Sequence, residues 1–238
     1  MKIIALESSA VTASVAVTED ERLLAQSFQN SGLTHSATLM PMAVDLLKNA
    51  GLTLDEMDVV AVAAGPGSFT GVRIGVAAAK GLAWPGNKPC APCSTLESMA
   101  WQCAHLDGEI CAAMDARRNQ VYCARFLAER GELTRLTGDR AIGLEELAEE
   151  VRGSGKTQIL VGDGALLARR ELEARGLPTV LMPPHLRFQT AWGVARAALR
   201  LAWEGALVSA AAMAPSYHRL SQAERERLER MKKPCKPD

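Results

Sequence analysis

A glycine-rich loop between a predicted strand and a predicted helix is the segment best suited to chemistry. Backbone amides at the start of a helix can bind an anion such as phosphate, and glycine lets a ligand approach them closely. The same glycines could instead form a tight strand–helix turn and let the helix pack closely. The loop is not a P-loop, because no Gly-Lys-Ser/Thr follows at the required spacing. The candidate residues are Gly65, Pro66, Gly67, Ser68, Thr70, Gly71 and Arg73.

An acidic residue at the end of the first predicted strand is the second candidate. Glu7 is followed by Ser8 and Ser9. A carboxylate at this position could hold a hydrated metal ion beside a nucleotide phosphate, as in two-domain ATPases. It could equally be a surface or capping group without a ligand. Residues 115–122 have the composition of an ordinary turn with salt bridges. A further turn at residues 162–165 could line a nucleotide in a two-domain cleft.

Cysteine and histidine spacings argue against a metal centre. Cys90 and Cys93 have the Cys-x-x-Cys spacing of redox and zinc motifs, but a structural zinc site would need two more ligands, and two incidental thiols are the alternative. His35 begins a predicted helix. Leu39 stands where a second histidine would share its face, so His-x-x-x-His is not formed. We therefore predict no metal site and no catalytic residue.

The same order of strands and helices occurs twice along the chain. Strand-length apolar runs at residues 2–6, 13–18 and 22–28 come first. Predicted helices at 35–50, 70–84 and 96–104 follow, with a strand at 58–63 between the first two. A second set starts with strands at 110–115, 120–127 and 132–137 and ends with a helix at 191–203. This order predicts an α/β fold of two stacked units rather than one long sheet. We place the units at 1–105 and 106–220, followed by a charged tail at 221–238.

The first two predicted helices are apolar on two sides. A surface helix needs one apolar stripe to cover its own core. A second stripe indicates either deep burial within one chain or packing against helices of another chain, and the pattern leaves both open. The predicted interface residues are Leu39, Met40, Met42, Ala43, Leu46 and Leu47 on the first helix, and Val72, Val76 and Ala79 on the second.

Composition excludes several classes of protein. Apolar residues make up 48% and charged residues 23% of the 238 residues, which is typical of a globular fold. Lys+Arg and Asp+Glu both number 27, so the chain as a whole is not a general polyanion binder. No secretory segment and no apolar run of about 18–20 residues is present, which predicts a cytoplasmic protein that does not contact a membrane.

With these residues in view, the sequence resembles the TsaB (YeaZ) family. The run from Gly65 to Gly75 is highly specific to that family. Weaker matches follow in the family's order along nearly the whole chain. They lie at residues 3–9, 94–97, 114–117, 121–122, 162–164 and 215–219.

The resemblance implies an ASKHA, or actin-like ATPase, fold of two ribonuclease-H-like units with five-stranded mixed sheets flanked by helices. It implies a non-catalytic subunit that binds and activates the threonylcarbamoyltransferase TsaD, together with the ATPase TsaE. That complex modifies the adenosine beside the anticodon of tRNA. This chain would contact the tRNA only indirectly, through the complex. The resemblance also implies pairing with TsaD, or with a second copy, through the first two helices. No cofactor of its own is expected, although ATP or ADP could lie at the interface with TsaD.

One departure and two alternatives accompany the resemblance. The family usually has Asp where this chain has Glu7, which places independent ATPase activity in doubt. The alternative function is an enzyme in its own right, either an ASKHA-type ATPase or phosphotransferase or a metallopeptidase-like protein. The charged tail is either a solvated segment or a contact to RNA or a partner.

Overall fold

The strand β1 (Lys2–Glu7) is the central strand of the first sheet in the computed structural model, which describes residues 1–218. It pairs antiparallel with β2 (Ala13–Glu19), and β2 pairs antiparallel with β3 (Arg22–Gln29). On its other side β1 runs parallel to β4 (Val59–Gly65), which runs parallel to β5 (Cys90–Ser94). Both faces of β1 and β4 are covered, which explains their nearly continuous apolar sequences.

The second sheet repeats this arrangement with one strand more. Its order is β11-β10-β6-β7-β8, and β9 pairs with β7 beside this path. The prediction of two five-stranded sheets is therefore wrong for the second unit, because β9 was missed. That strand has four residues and no alternating apolar pattern that would mark it. The strands are β6 (Gly108–Asp115), β7 (Gln120–Glu129), β8 (Glu132–Arg135), β9 (Arg140–Gly143), β10 (Gln158–Val161) and β11 (Thr179–Leu181).

Helices cover both faces of both sheets, so that the fold has five layers. The first sheet lies between the α1–α2 pair and the α3–α7 pair, and the second sheet lies between the α3–α7 pair and the α4–α5 pair. The helices are α1 (His35–Ala50), α2 (Phe69–Ala83), α3 (Thr95–Trp101), α4 (Leu144–Ser154), α5 (Ala165–Ala174), the short α6 (Pro184–Arg187) and α7 (Ala191–Trp203). The prediction of two α/β units is confirmed.

The middle layer is shared between the units. Helix α7 comes late in the sequence and packs on strands of the first sheet, whereas α3 contacts β6 and β7 of the second. An ion-pair network reinforces this layer: Glu97 of α3 binds Arg135 of β8 at 2.7 Å and Arg200 of α7 at 2.9 Å. The division of the chain at residues 105 and 106 stays a prediction.

The chain after α7 returns to the first unit. Val208 forms an antiparallel bridge with Cys90 at the edge of the first sheet. Farther along, the backbone amide of Ser216 donates to the carbonyl of Ala64 at 2.7 Å, which brings the last described residues beside the glycine-rich loop. The tail predicted at 221–238 lies outside the described residues.

No helix in the described part of the chain, residues 1–218, has both the length and the apolar character needed to cross a membrane.

Candidate functional site

A cleft of about 790 Å³ lies between the two units and is the candidate functional site. The first unit contributes the turn after β1 and the loop before α2, and the second contributes the β6–β7 turn. The predicted turn residue Asp163 also reaches the cleft, as the sequence suggested. Polar and aromatic side chains share its walls, among them Ser9, Ser68, Phe69, Asp115, Tyr122 and Tyr217.

The glycine-rich loop is packed against the turn that follows β1. A Cβ on Gly71 would lie 2.1 Å from the backbone oxygen of Ser8, and a Cβ on Gly67 would lie 2.4 Å from that of Ser9. The Ser8 hydroxyl donates to the Gly71 carbonyl at 2.9 Å, and the amide of Ser68 donates to the Ser9 carbonyl at 2.6 Å. The space that these glycines leave is therefore filled by this chain's own backbone. Of the other predicted loop residues, Pro66 lines the cleft, whereas Thr70 and Arg73 are exposed.

Glu7 is fully buried beneath the cleft. Its Oε1 accepts hydrogen bonds from the Ser9 amide at 2.5 Å and the Ser9 hydroxyl at 2.6 Å, while Oε2 has no hydrogen-bond partner. Burial raises the pKa of Glu7 to about 7, although the Ser9 hydrogen bonds oppose this and the nearby Asp163 adds to it. With no cationic side chain of residues 1–218 beside it, the carboxyl therefore titrates near neutral pH.

Two residues of the cleft were missed by the sequence analysis. The Gln189 side chain donates to Asp163 Oδ1 at 2.8 Å, and its backbone oxygen accepts from the Thr12 hydroxyl at 3.0 Å. Phe188 lines the cleft directly. Both lie in the connection between α6 and α7, where no motif or periodicity marks them. Burial raises the pKa of Asp163, and the hydrogen bond from Gln189 opposes that rise.

The two stripes of α1 and α2 have different surroundings. Seven of the nine predicted interface residues are buried against the chain's own first sheet, so a partner would not meet them directly. They are Leu39, Met42, Ala43, Leu46, Val72, Val76 and Ala79. The other two, Met40 and Leu47, are half-buried. The second stripe of the two helices, which we call the outer stripe, consists of Met40, Val44, Leu47, Ile74, Ala77 and Ala78. Val44 and Ala77 are exposed, whereas Leu47, Ile74 and Ala78 flank the core and are partly buried against it.

The candidate cysteine and histidine side chains serve the packing and hydrogen bonding of the fold itself. Cys90 and Cys93 lie three residues apart in β5, so their side chains enter cores on opposite faces of the sheet and cannot share a ligand. His35 Nε2 lies 2.7 Å from the Ala10 carbonyl, and Leu39 is buried. Among residues 1–218, no cluster of three or more His, Cys, Asp and Glu side chains is arranged to hold a metal ion.

Two ribonuclease-H-like units that face each other across a cleft place this structure in the ASKHA class. YeaZ from Pseudomonas aeruginosa superposes with a TM-score of 0.78 at 28% identity, over 91% of this chain and 99% of that one. A family model described as "TsaD: tRNA N6-adenosine threonylcarbamoyltransferase" matches residues 24–174.

Sequence comparison gives the narrower assignment. The Bacillus subtilis protein named "tRNA threonylcarbamoyladenosine biosynthesis protein TsaB" is 32% identical over 173 residues, which cover 73% of this chain and 76% of that protein. The Escherichia coli protein of the same name is 37% identical over 53% of this chain and 55% of its own length. The chain belongs to the TsaB (YeaZ) family.

Proposed function

We propose that this protein is a non-catalytic subunit in tRNA threonylcarbamoyladenosine biosynthesis, which binds and activates TsaD and works together with TsaE. Membership of the TsaB family supports the pathway, because its B. subtilis and E. coli relatives are named for it. The observation that carries the role of a subunit is the outer stripe, an apolar surface on two adjacent helices.

The outer stripe has the character of a helix-packing surface. Val44 is 59% exposed although it is apolar, and Trp84, just after α2, is 67% exposed. Ala77 and Ala78 are small, which allows a second helix to approach closely. Apolar side chains that stay exposed or partly exposed on two adjacent helices are suited to an interaction site. We expect this surface to bind the corresponding helices of TsaD, or those of a second copy when the chain is alone.

The site chemistry supports a role without catalysis. His35 is held at a backbone carbonyl, and Leu39, at the next position on that face, points into the core. The cleft fits a magnesium–triphosphate poorly for two reasons. Glu7 is fully buried, and its Oε1 already accepts hydrogen bonds from Ser9. The space beside Gly67 and Gly71 is filled by the backbone of Ser8 and Ser9. We therefore place any ATP or ADP at the junction with TsaD rather than in this chain's own cleft. Calorimetric titration of the isolated chain with millimolar ATP and magnesium should show no binding, and tight binding would favour the ATPase alternative.

Charges introduced in the outer stripe are expected to prevent assembly. The Val44→Glu/Ala77→Glu double variant should weaken binding to TsaD at least about tenfold, because two carboxylates would be desolvated in an apolar interface. The stability of the isolated chain should hardly change, since both positions are exposed. Binding is measured by calorimetry, and assembly by light scattering after size-exclusion chromatography.

A matched control separates this surface from a general effect of added charge. Val180 in β11 is 49% exposed at the far edge of the second sheet, so Val180→Glu repeats the Val44→Glu half of the change away from the outer stripe. This variant should assemble normally. Unchanged TsaD binding by the double variant, or an equal loss in the control, would contradict the proposed interface.

A further inference from the structure

The turn between β6 and β7 holds two arginines in an unfavourable backbone conformation at the rim of the cleft. Arg117, Arg118 and Asn119 have φ angles of +64°, +54° and +59°. Residues with a Cβ rarely adopt this left-handed region consecutively, and each such residue carries an energetic cost. Strain of this kind is common at sites that contact ligands. The turn therefore presents its side chains at some cost in stability.

The two arginine side chains of this turn are free to contact a ligand. Arg117 is 86% exposed, and its one ion pair within residues 1–218 joins it to Asp115, at the end of β6, at 3.3 Å. In the same described part of the chain, Arg118 is exposed and forms no ion pair or side-chain hydrogen bond. Exposed arginines without a structural role are suited to binding phosphate groups.

The opposite rim of the cleft carries a stacked cation and two aromatic rings. The rings of Phe69 and Tyr217 stack with centroids 4.8 Å apart, and the Arg73 guanidinium lies 3.8 Å from the Phe69 centroid. Arg73 Nε donates to the Tyr217 hydroxyl at 2.8 Å, and no carboxylate in residues 1–218 forms an ion pair with Arg73. Tyr217 is 46% exposed. Its ring is therefore both fixed in position and accessible.

Cationic groups next to an accessible aromatic ring are the combination that proteins use to bind single-stranded nucleic acid. We propose that the two rims of the cleft together bind an unpaired segment of the RNA substrate, with Arg73, Arg117 and Arg118 contacting phosphates and a base stacking on Tyr217. The proposal rests on the proposed function for the identity of the RNA. Asp115 and Asp163 line the cleft itself, so phosphates should stay at the rim rather than enter.

The test measures binding of fluorescently labelled tRNA to the complex reconstituted with TsaD and TsaE. The Arg117→Gln/Arg118→Gln variant should bind about tenfold more weakly, and the slope of log affinity against log salt should fall by about 1.5, as expected for two lost phosphate contacts. The matched control is Arg169→Gln/Arg170→Gln on α5, which removes the same charge elsewhere and should bind like wild type. Equal affinities for both variants, or equal losses, would overturn the proposal.

The aromatic part of the site has a separate test. Tyr217→Ala should weaken tRNA binding about tenfold without changing the salt slope, whereas Tyr217→Phe should keep most of the affinity because the ring remains. An excess of ATP should not displace labelled tRNA from the full chain alone, where neither TsaD nor TsaE is present to bind the nucleotide. Displacement would show that the rim takes free nucleotides and would overturn the assignment to RNA.

Failure of this inference can be distinguished from failure of the proposed function. If the complex assembles but the Arg117/Arg118 variant binds tRNA normally, only the RNA contact is refuted. If the chain does not assemble with TsaD, the proposed function fails. The same variants are then compared for RNA binding by the full chain alone, where unchanged affinity would refute the contact as well.

Discussion

Replacing Gly71 by alanine is expected to lower the free energy of unfolding by about 3 kcal/mol, because the new Cβ has no room. It would lie 2.1 Å from the Ser8 carbonyl oxygen, and this neighbour is backbone that cannot rotate away. Helix α2 would have to move away from the turn after β1, breaking the hydrogen bond from the Ser8 hydroxyl to the Gly71 carbonyl. The change is measured by urea unfolding followed by circular dichroism.

Gly81 provides the matched control in the same helix. A Cβ there meets nothing within 4 Å, so Gly81→Ala should raise stability by about 0.7 kcal/mol through helix propensity alone. The two glycine-to-alanine changes should therefore have opposite signs. A Gly71→Ala protein as stable as the Gly81→Ala protein would mean that the loop does not pack as described, and would leave it open to a ligand.

Substitution of Glu7 by glutamine is expected to change how stability depends on pH. Burial raises the pKa of the folded-state carboxyl to about 7 from 4.5, so the folded protein retains a proton that the unfolded chain releases. Wild-type stability should therefore fall, relative to the Glu7→Gln variant, as the pH rises from about 4.5 to about 7. At about 1.4 kcal/mol per pKa unit, the relative loss is about 3 kcal/mol. Glutamine can still accept both hydrogen bonds from Ser9.

The measurement is urea unfolding of both proteins at about pH 4 and about pH 8, which lie on the two sides of this window. Glu145→Gln serves as the control, because the Glu145 side chain is 80% exposed and its neutralisation should leave the pH dependence nearly unchanged. Parallel pH profiles for wild type and Glu7→Gln would show that the pKa of Glu7 is not raised in the folded protein, and would contradict this prediction.

Much of the fold could be predicted because its local patterns are strong. The alternation of Ile3, Ile4, Ala5 and Leu6 between two cores follows from the twofold period of a strand. The doubled order of elements predicted two α/β units, as observed. The strand β9 was not predicted, because four residues without apolar alternation show no period. It is a strand because it pairs with β7.

The candidate site was less predictable, because its residues come from distant parts of the chain. The glycine-rich loop was identified from its composition, but its neighbours Ser8 and Ser9 could be placed only by the pairing of β1 with β4. Gln189 and Phe188 carry no local signal. The helical pattern of α1 and α2 revealed two apolar stripes without showing which one faces the sheet.

The sequence by itself determined the doubled α/β architecture, the family and the apolar character of the first two helices, since periodicity and motif order are local properties. Only the tertiary structure decided that Leu39 and Val72 face inward while Val44 stays outside. It alone showed that the backbone of Ser8 and Ser9 fills the space beside the glycine-rich loop. It also showed that Arg117 and Tyr217 line one cleft. These facts depend on how sheets and helices pack, and the proximity of residues that are far apart in the sequence leaves no periodic trace in the chain.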